Sequence, residues 1–162
     1  GNEDRMKPLA HVVVLLFWVA ADASADPAGF VKPSAKDKYP VCGMFVSKYP
    51  DFTAEIVFED GSYAVFDGAK DMFKFYLDLN RYHASKKPSD IQSIYVTSYY
   101  DLQPADATKA FYVIGSDVYG PMGREPIPFV AEDDALEFMK DHAGKQVLRF
   151  DDITADLIKG LD

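Results

Sequence analysis

Between residues 54 and 150 the chain writes one pattern twice. Residues 54–58 (AEIVF) and 63–66 (YAVF) are short apolar runs on either side of Glu59-Asp60-Gly61-Ser62. An Asp-Gly pair between two such runs predicts a hairpin, because glycine takes the positive φ of a tight turn without steric cost. Asp67 then stands where it can cap a helix over residues 68–79. In that stretch Ala69, Met72, Phe73 and Tyr76 fall at i, i+3, i+4 and i+7 and form one apolar face. Residues 91–99 follow as a strand. The same order returns downstream. Residues 110–114 (AFYVI) read as a strand, and residues 126–130 (PIPFV) as a second, which its prolines assign to a sheet edge. A helix over residues 132–141 opens with Glu132, Asp133 and Asp134, where the helix dipole favours negative charge, and residues 146–150 close the set. Setting Phe66 on Phe129 also sets Phe73 on Leu136, Phe75 on Phe138 and Tyr76 on Met139, a spacing of 63 residues. A period this long, present twice, is not a solenoid. The expectation is an α+β fold made by tandem duplication of a ββαβ unit. Two small lobes, residues 39–105 and 106–162, pack together, and a short helix over residues 153–159 ends the chain.

The N-terminal region has a different character. Lys7 precedes an apolar run over residues 12–21 (VVVLLFWVAA), and Ala23-Ser24-Ala25 follows. A basic start, a short hydrophobic stretch and an A-x-A site are the parts of a secretory signal peptide. The run is half the roughly 20 residues a membrane span needs, so no membrane span is expected in the mature chain. Residues 1–25 are therefore assigned to a signal peptide preceded by a short remnant (GNEDR), and residues 26–38 to a flexible leader. Export to the periplasm is the expected localisation. No cysteine stands near the cleavage site to carry a lipid anchor. The net charge of −9 argues against nucleic acid as a partner.

Export gives the single cysteine meaning. Cys42 has no partner within the chain, so no internal disulfide supports the fold. An unpaired thiol in an oxidising compartment is protected by burial, by metal or by pairing between chains. Cys42-Gly43-Met44 places a thiol and a thioether on either side of a glycine that allows a sharp turn. Soft sulfur ligands select Cu(I) over Mg, Ca or Mn. The same two residues also fit a buried apolar pair at the start of a strand. The second half of the chain lengthens its hairpin connection into residues 115–125 (GSDVYGPMGRE), and elaborated loops on a repeated scaffold are natural binding sites. His83 and His142 each follow a predicted helix, where the dipole favours an imidazolium, and no Cys/His nucleophile signature accompanies them.

Residues 39–68 (YPVCGMFVSKYPDFTAEIVFEDGSYAVFDG) together with 111–144 (FYVIGSDVYGPMGREPIPFVAEDDALEFMKDHAG) resemble the NosL family of exported copper-binding accessories of nitrous oxide reductase maturation. The resemblance covers the chain from about Tyr39 onward. It implies a two-lobed ββαβ fold, Cu(I) as the bound ion and a metallochaperone without enzymatic activity. The partner it implies is a periplasmic cuproenzyme or its membrane assembly complex. Carried over by motif, the metal residues are Cys42, Met44 and, from the long loop, Met122. Family members are typically anchored by a cysteine just after the signal peptide; this chain has none there, which makes it either a freely soluble variant or a relative serving another copper target. The competing expectation is a periplasmic sensor or interaction module whose Cys-Gly-Met is structural.

Overall fold

The computed structural model describes residues 29–32, 34, 36–41, 43 and 50–162. The predicted signal segment lies outside the described residues. Strand β1 (Ala54–Phe58) turns back into β2 (Tyr63–Phe66). Gly61 takes φ +81° in the connection, and Asp60 Oδ1 accepts the Ser62 N–H at 3.0 Å to close the turn. Helices α1 (Ala69–Leu77) and α2 (Leu79–Tyr82) lead to β3 (Ile91–Thr97) and β4 (Pro104–Asp106). The antiparallel order is β2-β1-β3-β4. Next come β5 (Phe111–Ile114), β6 (Tyr119–Gly120), β7 (Gly123–Arg124), β8 (Ile127–Phe129), α3 (Glu132–Asp141), β9 (Gln146–Arg149) and α4 (Ala155–Lys159). The second sheet runs β8-β5-β9, and among the described residues β6 pairs only with β7. In both sheets the first strand is central, flanked by its hairpin partner and by the strand that follows the helix.

Pro128 sits on the edge strand β8, as its missing N–H requires, and its carbonyl accepts the Tyr99 N–H at 2.9 Å. That bond ties the end of the first sheet's last long strand to the edge of the second sheet.

Four local expectations are corrected. Asp67 does not cap α1: the N-cap is Gly68, with no side-chain hydrogen bond of its own. The carboxylate that receives an N–H of the first turn belongs instead to Glu125, far along the chain. The apolar face of α1 is not its only buried side. Lys70, Asp71 and Phe75 are buried with Ala69, Met72 and Phe73, because α1 lies between the first sheet and α4. The last helix starts at Ala155 and not at Ile153. Phe150–Asp152 form a 3-10 turn, and Thr154 Oγ1 accepts the Leu157 N–H at 3.3 Å as the true cap. Phe73 and Leu136, aligned at 63 residues, differ in setting: Phe73 is fully buried and Leu136 is 44% exposed.

The larger core does not respect the division between sheets. Ala54, Ile56 and Phe58 from β1 join Met72 and Phe73 from α1, then Tyr112 and Leu148 of the second sheet and Ile158 of α4. Phe73 meets Tyr112 edge-on at 5.2 Å between centroids and Phe150 at 5.1 Å. Tyr112 is itself fixed by its hydroxyl, which donates to the Ala107 carbonyl at 2.7 Å. A smaller cluster of Val113, Ile127, Phe129, Ala135 and Phe138 lies on the second sheet's other side, under α3.

A core shared in this way makes the two sheets one cooperative unit. Urea unfolding followed by far- and near-UV circular dichroism is expected to give coincident single transitions. Phe73→Ala is expected to remove about 3–5 kcal/mol from that transition. Two separated transitions in the wild type, or a loss below about 1 kcal/mol in the variant, would show that Phe73 does not join the sheets.

Candidate functional site

Met122 is at the tip of the β6–β7 hairpin, in the turn between Gly120 and Gly123, and is half-buried. Gly123 takes φ +89°, which lets so short a connection reverse. Cys42 and Met44 lie outside the described residues. Their neighbour Gly43 is exposed with φ +74°, a left-handed conformation suited to glycine, and its N–H donates to the Tyr39 carbonyl at 2.8 Å. Val41 packs against the larger core. On the far side of the motif the chain re-enters the described residues at the 3-10 turn Pro50–Phe52. Phe52 lies so close to Gly120 that a Cβ there would stand 3.3 Å from its ring. The Met122 hairpin therefore rests against the segment that follows the Cys-Gly-Met motif.

The hairpin is attached to α1 by buried charge. Lys70 Nζ donates to the Met122 carbonyl at 2.5 Å, and the Lys70 N–H donates to Glu125 Oε2 at 2.8 Å. Both side chains are almost fully buried. Lys70 Nζ also lies 3.2 Å from Asp162 Oδ1, which Lys74 approaches at 2.7 Å. Burial pushes the Glu125 carboxyl up to about 7, opposed by the Lys70 N–H and ammonium and reinforced by Asp71 and Asp67. Burial, with Asp67 adding to it, raises Asp71 to about 6.

A third buried carboxylate serves the segment leading to the motif. Glu55 points away from the main core, and burial raises it to about 7 despite the Val31 N–H that donates to its Oε1 at 2.9 Å. Tyr63 donates to Asp37 Oδ2 at 3.0 Å, and Phe30 meets Tyr95 edge-on. Phe30, Val31, Asp37 and Tyr39 thus lie over the outer face of the first sheet, with Tyr39 buried against Val65.

His83 and His142 each cap a helix. His83 follows α2 beside Phe58, and His142 follows α3, stacked on Phe138 with Nδ1 3.1 Å from Asp117 Oδ1. Among the described residues no group of three or more His, Cys, Asp or Glu is arranged to hold a metal ion. No helix of the described residues is long and apolar enough to cross a membrane. Lys70 and Glu125 carry no sequence signal, because their partners are more than 50 residues away.

The NosL family profile matches residues 30–158. The chain belongs to the NosL family. It is 30% identical over 150 residues to the copper-binding lipoprotein NosL of Stutzerimonas stutzeri, covering 84% of this chain and 70% of that one. It is also similar to the crystal structure of the copper chaperone NosL from Shewanella denitrificans, at 25% identity and a TM-score of 0.66. That match covers 80% of this chain and 99% of the other. The solution structure of apo-NosL from Achromobacter cycloclastes is 31% identical over 65% of this chain and 87% of its own, with a TM-score of 0.43. The mixture of helices and small sheets is that of the Shewanella structure.

The raised carboxyls set a pH dependence. A carboxyl whose folded pKa lies above its unfolded one binds more protons folded than unfolded, so its contribution to stability falls as pH rises between the two values. For Glu55 and Glu125 that window runs from the usual 4.5 to about 7. Asp60, Asp106 and Asp162 are held below the ordinary carboxylate range and titrate beneath it. The urea midpoint is expected to fall between pH 5 and pH 8, and Glu125→Gln to flatten the fall. An identical slope in the variant would show that Glu125 does not titrate in this window.

Proposed function

We propose that this protein binds one Cu(I) ion through Cys42, Met44 and Met122 and delivers it to a periplasmic cuproenzyme or that enzyme's membrane assembly complex. Nitrous oxide reductase is the acceptor that the family resemblance implies. The observation that carries this reading is the seat of the Met122 hairpin. Its Gly120 lies against Phe52, where the chain emerges from the Cys-Gly-Met segment. Relatives named as a copper-binding lipoprotein and a copper chaperone support the choice of metal. The chemistry agrees. A thiolate and two thioethers suit a soft monovalent ion, whereas zinc prefers nitrogen, oxygen and several thiolates. Two ligands from one tripeptide leave Cu(I) open to water and oxidation, and a third sulfur from a different part of the chain closes the sphere. The copper is cargo, and the protein performs no catalysis on it.

The fold is read as a tandem duplication of a ββαβ unit, with lobes over residues 39–105 and 106–162. The shared strand order of the two sheets supports this. The second unit has lengthened its hairpin connection to carry Met122. The segment over residues 1–25 directs export. Mass spectrometry of the protein secreted with its own leader in a Gram-negative host is expected to find Asp26 at the N-terminus; an intact leader in the periplasm would contradict export by cleavage.

Competition with a chromophoric Cu(I) chelator tests the site. One equivalent is expected to bind, with zinc much weaker. Cys42→Ser is expected to abolish binding. Met122→Leu, which keeps volume and apolar character at a cost below about 1.5 kcal/mol in stability, is expected to lower affinity while the apo protein's melting temperature holds. Unchanged affinity in Met122→Leu would remove that residue from the site. Equal or tighter zinc binding would contradict a sulfur site altogether.

A further inference from the structure

We propose that Lys70 and Glu125 are positioning residues that latch the Met122 hairpin to the first turn of α1, so that the thioether is held in place before copper arrives. The inference rests on the reading of Met122 as a copper ligand. The latch engages the hairpin on both sides of its tip. Ahead of Met122, Gly120 lies on the Glu125 side chain so closely that a Cβ at residue 120 would overlap Glu125 Cγ. At the tip, the Met122 carbonyl accepts from Lys70 Nζ at 2.5 Å. Beyond it, Glu125 Oε2 accepts the Lys70 N–H at 2.8 Å. The carboxylate occupies a slot that depends on a second glycine, because a Cβ at Gly68 would stand 2.7 Å from Glu125 Oε1. Gly68 has φ −166°, an extended conformation open to any residue, so space is what requires glycine there.

The chemistry explains why these residues are charged. The N–H groups of the first helical turn have no partner within the helix, and the dipole favours a carboxylate beside them. Gly68 at the N-cap offers no side chain for the task. Glu125 supplies it from the end of the hairpin, so the helix is capped only when the hairpin is seated. Lys70 is the converse: a buried ammonium is costly without partners, and among the described residues it has the Met122 carbonyl and Asp162. A hairpin of two paired positions, Tyr119 with Arg124 and Gly120 with Gly123, has little order of its own. Its position is set by these contacts.

The test combines amide exchange in the metal-free protein with a double-mutant cycle on Cu(I) affinity. Lys70→Met keeps the length of the side chain and the main-chain N–H but removes the ammonium. It is expected to speed amide exchange of residues 119–124 about tenfold while exchange in β1 holds. It is also expected to weaken Cu(I) binding about tenfold in the Met122 protein and to have no effect in Met122→Leu. A purely structural role would lower affinity equally in both backgrounds and overturns the proposal, as does unchanged hairpin exchange in folded Lys70→Met. If Lys70→Met does not fold, Glu125→Ala breaks the same latch, and Glu125→Gln, which keeps an acceptor for the Lys70 N–H, is expected to restore both readouts. Failure of Gln to restore them overturns the proposal. Should Met122→Leu by itself leave affinity unchanged, Met122 is not a ligand. The positioning role falls with it, and that result is distinguishable because it appears without any change at Lys70.

Discussion

Helix α1 is buried on nearly every side, and the rest of the molecule is arranged to satisfy it. Its aromatic residues can be covered only if both sheets contribute, which is why Phe73 reaches Tyr112 and Phe150 while Met72 and Phe75 remain in the same cluster. Its first turn carries a lysine and an aspartate at positions with almost no access to water. A charge in such a place is costly without partners within the protein, and burial raises the Asp71 carboxyl to about 6. Lys70 finds them in the Met122 carbonyl and Asp162, and its N–H in Glu125. The C-terminus and the hairpin that holds the candidate ligand are therefore tied to one helix end by the need to satisfy one buried turn.

That requirement also marks the limit of what could be read from the chain. Features governed by local rules were legible. The Asp60-Gly61 turn, the span of α3 and the edge position of the proline-bearing β8 follow from turn chemistry, periodicity and a missing donor. The features that were not legible depend on distant partners. Asp67 precedes α1 and has the right chemistry for a cap, yet the first-turn N–H goes to Glu125, 55 residues away. Leu136 aligns with Phe73 at 63 residues but is 44% exposed, whereas Phe73 is buried on a helix that has α4 packed beside it. The last helix starts at Ala155 and not at Ile153, because the Thr154 side chain caps it through the Leu157 N–H.

The candidate site divides in the same way. A thiol and thioether around a glycine fitted soft ligands or a buried apolar pair by residue type alone, and the family resemblance favoured the ligands. The long loop could be recognised as an insertion because the first unit has four residues in its place. What positions that loop could not be seen, since Lys70 reads as an ordinary surface lysine on an amphipathic helix. Its burial converts it into a clamp on the Met122 carbonyl. Burial raises the carboxyls of Glu55, which accepts the Val31 N–H, and of Glu125, beside the hairpin, to about 7.

Binding of Cu(I) by sulfur from two parts of the chain is the central claim, and X-ray absorption at the copper edge tests it most directly. The copper-loaded protein is predicted to show a first shell of three sulfur atoms, falling to two in Met122→Leu and disrupted in Cys42→Ser. A shell dominated by nitrogen or oxygen, or one that keeps all its sulfur in Met122→Leu, would contradict it.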